Sequence, residues 1–125
     1  MHLTLLLAGL LALLTAAIHL IAGQREIVRP FLAAELAAIP RWTLFACWHW
    51  VSLDLALTGA ALIWLAATPP SAAAPLTQQL IAGHFAAYGL LFLGLTLTRP
   101  GPQRLFQLPQ WVLLLPIAAL AWPWP

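Results

Sequence analysis

The chain is 125 residues long, 63% hydrophobic and only 6% charged, with a formal net charge of +2. A soluble domain carries about 25% charged residues, so this sequence cannot cover a water-facing surface and reads as one membrane domain, residues 1–125. Its charge is too small to imply an anionic partner, and its five Arg, with no Lys, sit in connections rather than along one helix face. That pattern excludes a nucleic-acid patch.

The first predicted element covers residues 3–22. It is apolar over about 20 residues, the length of a bilayer-spanning helix. It also lacks the basic start of a secretory signal, so a span is the expected reading. His19 shares a stripe with Ala12, Thr15, Ala16 and Gly23. Small residues at this spacing let helices approach closely, so His19 is expected to face a neighbouring helix. Glu26 falls on the same face seven residues later if the helix continues.

Residues 24–41 form a connection carrying Arg25, Arg29 and Arg41. Pro30 suits the first turn of a helix, and Phe31, Leu32, Leu36 and Ile39 recur at helical spacing before Pro40. A short interfacial helix is predicted here.

The second predicted span covers residues 43–67. Its segment WHWVSLDLALTG sets His49 and Asp54 within hydrocarbon. An Asp at a helix centre there costs roughly 2.5–3.5 kcal/mol, so such groups face a partner, a cavity or a ligand. The two lie five residues apart, about 140° around a helix, and point in different directions. His49 lies with Ser52, Ala56, Gly59 and Ala60, whereas Asp54 lies with Cys47, Trp50, Thr58 and Ala61. Cys47 is the single cysteine, so no intrachain disulfide or CxxC pair is possible. Trp48 and Trp50 flank His49 and suit the wall of a ring-shaped ligand.

The next connection, TPPSAAAP, carries no Arg. The third span is predicted at 76–98, with His84 and Tyr88 one turn apart. Arg99 and Arg104 follow. The fourth span, 108–122, covers only about 22 Å, with Pro116 as a kink and Trp111 and Trp122 marking its interfaces. By the positive-inside rule the Arg-bearing connections are cytoplasmic and both termini are outside. The Lys-free, Ala- and Leu-rich composition suggests a high-GC bacterium and hence a bacterial inner membrane.

The predicted fold is all-α: a multi-pass bundle of four transmembrane helices with a short interfacial helix between the first two. Counting depth along each span separates the polar residues into two clusters. His19 and His49 share one level, and imidazoles on neighbouring helices suit axial haem ligation or the start of a transition-metal site. A zinc site wants a third protein ligand, for which Glu26 is the nearest candidate. Asp54, His84 and Tyr88 form the second cluster, which suits a proton relay or a polar ligand pocket, or simply links helices.

No nucleophile elbow, HExxH motif or Gly-rich phosphate loop occurs, so no reaction is named. The leading expectation is a metal- or haem-binding redox protein of the membrane. The alternatives are a non-catalytic accessory or scaffold subunit and an oligomeric proton or small-solute pathway. The expected partners are the lipid bilayer, other membrane subunits or further copies of the chain, and no nucleic acid.

Overall fold

An apolar chain in hydrocarbon must satisfy its backbone N–H and C=O groups internally, and helices do this here. The computed structural model describes residues 2–69 and 71–124, and those residues form helices and short connections without strands. Helix α1 spans Leu3–Gly23 and runs without a break through a π-helical turn, Gln24–Val28, into α2, Arg29–Ala33. Helix α3 spans Ala38–Ala67, α4 spans Ala74–Leu97, α5 is the single turn Arg104–Gln107, and α6 spans Trp111–Ala121. Three of these helical runs, Leu3–Ala33, Ala38–Ala67 and Ala74–Leu97, are long and apolar enough to cross a membrane.

Two expectations meet a different structure. The separate interfacial helix expected from Pro30 to Pro40 is not formed. Its first half continues the first span as α2, residues 34–37 are non-helical, and Pro40 lies in the first turn of α3. The physical reason lies in proline itself. A Pro ring clashes with the carbonyl four residues back in an α-helix, and the wider π-turn just before Pro30 relieves that clash. At Pro40 the missing N–H falls where a helix start leaves N–H groups unused. The fourth apolar segment gives a helix of 11 residues. That length covers only about 16 Å, about half of a hydrocarbon core of ~30 Å. Trp122 leaves the helix in an extended conformation, as a residue before proline favours.

The helices pair as two antiparallel hairpins. Helix α1 packs along α3, and α4 packs along α6; a smaller contact joins α1 to α6, while α3 and α4 barely touch. The first pair is built on small residues: Ala8, Gly9, Ala12 and Ala16 of α1 are buried, as are Ser52 and Gly59 of α3. A Cβ on Gly9 would lie 2.8 Å from the Gly59 carbonyl oxygen, so only glycine permits this approach. The largest wholly enclosed side chains are Phe85, Leu62 and Ile117, one each from α4, α3 and α6. The core therefore lies where the two hairpins meet.

The connections are tied by polar side chains. Arg41 donates to the carbonyls of Ala34 and Leu36 at 3.1 and 3.0 Å, closing the loop between α2 and α3. The Thr96 hydroxyl, wholly buried, donates to the Leu108 carbonyl at 3.2 Å.

Candidate functional site

The seam between α3 and α4 is held at mid-length by one polar contact. Asp54 and His84 each lie close to the centre of a long helix, and Asp54 Oδ2 is 2.8 Å from His84 Nε2. With Asp54 ionised the carboxylate can only accept, so the imidazole Nε2–H donates. Their side chains are 21% and 30% exposed, in keeping with the sparse packing between α3 and α4. Thr58 sits one turn beyond Asp54 and turns its hydroxyl back onto the Asp54 carbonyl at 2.6 Å.

Two aromatic rings flank His84. Tyr88, one turn along α4, lies 4.3 Å from the imidazole by ring centroids, tilted at 54°. Phe85, in the core, presents its ring edge-on at 5.8 Å. Tyr88 and Asp54 also line a groove of about 160 Å³ together with Cys47, Trp50 and Val51. A second cavity, of about 190 Å³, opens where α3 hands over to α4, and His2, Thr68, Ser71 and Gln78 supply its polar lining. The seam is therefore polar at mid-length and at one end, with a groove toward the other.

Asp54, His84 and Tyr88 are thus brought together. His19, His49 and Glu26 are not gathered into a ligand set, and among the described residues no group of three His, Cys, Asp or Glu could hold a metal. His19 Nε2 lies 3.2 Å from the Trp48 carbonyl oxygen, which can only accept, so Nε2 carries its proton there. The His19 ring is stacked on the Trp48 indole at 3.8 Å. His49 is exposed and meets Phe45, one turn back on its own helix, edge-on at 4.5 Å. Glu26 is exposed in the π-turn, and Val28 takes the buried position instead. A π-turn advances fewer degrees per residue than an α-turn, which carries Glu26 off the His19 stripe.

No family model matches the chain, and no curated protein or solved structure matches it significantly. What the site does must therefore be argued from its own chemistry. A carboxylate, an imidazole and a phenol within contact can hold a proton in more than one place and can offer hydrogen bonds to a third group. Cys47 and Trp50 share the Asp54 stripe in sequence, but nothing there marked a groove between them. The end cavity was not legible either, because His2 reads as a solvated terminus and nothing in sequence links it to Gln78.

Proposed function

We propose that this chain is a multi-pass membrane protein whose Asp54–His84 pair takes up and releases a proton, with the α3–α4 seam as its pathway and Tyr88 as the adjoining hydrogen-bonding group. The observation that carries the reading is the 2.8 Å contact between Asp54 and His84 at mid-helix. Magnitudes favour a working site over a structural link. An Asp at this depth costs roughly 2.5–3.5 kcal/mol, whereas interhelical hydrogen bonds in membranes return about 0.6 kcal/mol on average. An apolar pair would join the helices at less cost.

The proposal includes four crossings, with α6 and the turn before it as a short fourth. It also includes both termini outside, Arg-bearing connections in the cytoplasm, and a bacterial inner membrane. The exposed polar seam suits an assembly in which further protein covers it.

Infrared spectroscopy of the reconstituted protein tests the central claim. A protonated-carboxyl band that responds to pH and is lost in Asp54→Asn is expected. A titration unchanged in Asp54→Asn overturns the proposal. Collapse of an imposed pH gradient in proteoliposomes, slowed to the protein-free rate by Asp54→Asn, checks the pathway.

A further inference from the structure

Helix α3 carries a face that the other helices of this chain leave uncovered. Ala46, His49, Leu53, Leu57 and Ala60 recur at helical spacing and are all exposed, while Leu55 and Leu62, buried in the core, lie on the opposite side. The depth of this face follows from two tryptophans. Trp42 and Trp64 are both exposed and stand about 33 Å apart along the helix. Tryptophan collects at both membrane interfaces, and a hydrocarbon core is ~30 Å thick, so the pair sets the level of α3 in the bilayer. The midplane then falls at Leu53, and His49 lies about 6 Å from it.

The histidines within the spans differ in what they meet. His19 bonds the Trp48 carbonyl and His84 bonds Asp54. His49 meets the edge of Phe45 on its own helix, and no hydrogen bond reaches its ring nitrogens among the described residues. About 9 Å of hydrocarbon separates it from the nearer interface, too far for so short a side chain to snorkel. An unpaired polar group in hydrocarbon is costly, so this face has to meet something that can bond an imidazole. Copies of one chain share a topology, so their α3 helices run parallel and equal residues meet at equal depth across a two-fold axis. A neutral imidazole carries one donor and one acceptor, so one His49 can donate its N–H to the bare ring nitrogen of the other. Ala46, Leu53 and Ala60 repeat every seven residues, the period of a left-handed helix pair, and the two alanines let the backbones approach. A lone polar residue in such a seam fixes its register. We propose that this face of α3 is the interface of a symmetric dimer, closed by a His49–His49 hydrogen bond within the membrane. The inference rests on α3 crossing the membrane and is independent of the proton site, since Asp54 points about 140° away from His49 around the helix.

The test is energy transfer between donor- and acceptor-labelled copies of the full chain in liposomes, read over a range of protein-to-lipid ratios. Labels are placed at Gln103→Cys in a Cys47→Ser background. A dimer whose association constant falls about 3- to 18-fold in His49→Leu, the range of interhelical hydrogen bonds in membranes, is expected. His49→Gln, which keeps a donor and an acceptor, should recover most of that loss. Copper-phenanthroline oxidation of separate single-cysteine variants locates the face: Leu53→Cys should link to itself, and Gly83→Cys, exposed on α4, should not. A monomer at every ratio overturns the proposal and leaves the face to lipid or to a different protein. So does a dimer that His49→Leu does not weaken, or one linked through Gly83→Cys in place of Leu53→Cys. The Asp54 infrared titration should be unchanged in His49→Leu, so failure of the dimer and failure of the proton site are read separately.

Discussion

Asp54 is held from two directions, by His84 across the seam at 2.8 Å and by the Thr58 hydroxyl on its own carbonyl. Removing one partner of such a pair leaves a polar group stranded in hydrocarbon, whereas removing both does not. A cycle of Asp54→Leu, His84→Leu and the double variant, followed by reversible unfolding in mixed micelles, should therefore show positive coupling. The expected size is about 0.6–1.7 kcal/mol, the range of interhelical hydrogen bonds in membranes. Additive single variants would mean that the contact is not formed. His19 leads to a prediction of the opposite kind. Its Nε2 is occupied by the Trp48 carbonyl and its ring by the Trp48 indole. That leaves only Nδ1 with a lone pair for a metal, and among the described residues no group of three His, Cys, Asp or Glu surrounds it, so iron, copper and zinc should stay well below one atom per chain by elemental mass spectrometry after purification in mild detergent. A stoichiometric metal lost in the His19→Ala, His49→Ala double variant would restore the ligation reading. The polar residues themselves were legible in sequence, since ionisable groups stand out against an apolar background. Their partners were only partly so. Depth along each span placed Asp54 and His84 in one central group; it also set His19 and His49 at one level, where no third His, Cys, Asp or Glu joins them among the described residues.

Helix packing shows the same division between what a stripe reveals and what it hides. Ala12, Thr15, Ala16 and Gly23 read as a close-packing face from spacing alone, and all four are buried. The contact they make is tight enough to test. Gly9→Leu forces a side chain onto the Gly59 backbone and should destabilise the bundle by about 1–3 kcal/mol, the usual cost of overpacking. A Cβ on Gly83 meets nothing within 4 Å, so Gly83→Leu, inside α4, should be neutral or stabilise by up to about 1 kcal/mol, the helix-propensity gain over Gly. Equal effects at the two positions in the same unfolding measurement would contradict the α1–α3 packing. The π-turn at Gln24–Val28 had no signal of its own. Pro30 was visible, but a proline can start a helix, end one or be absorbed by a wider turn, and local sequence does not choose among these. Only the path of the chain after α1 does.

At the scale of the molecule, an all-helical fold with three helices long and apolar enough to cross a membrane was legible from composition, because a chain with 6% charged residues cannot cover a water-facing surface; the fourth span was not, since its segment forms only an 11-residue helix. Neighbour relations do not follow from composition. Helices α3 and α4 are consecutive and joined by a short connection, yet they barely touch, while α1 and α6 meet from opposite ends of the sequence. Apolar residues face both lipid and protein in a membrane, so hydrophobic periodicity cannot say which face meets which helix. Orientation can be checked directly in a Cys47→Ser background on intact cells. Ser71→Cys should react with an impermeant maleimide from outside, and Gln103→Cys only after permeabilisation, as the Arg distribution requires. The reverse pattern would invert the topology.

The two-hairpin arrangement also bears on how the protein is made. The ribosome completes α1 and α3, with their mutual packing, before α4 emerges, and α4 finds its principal neighbour only when α6 follows it. Synthesis thus delivers two hairpins in succession, and the shared core between them awaits the last residues of the chain. Cutting the gene within the connection at 68–73 should yield two polypeptides that each insert and then recover one another in the membrane, detected by co-purification through a tag on either one. The site at Asp54 and His84, with one residue on each piece, would then be assembled from two separate chains.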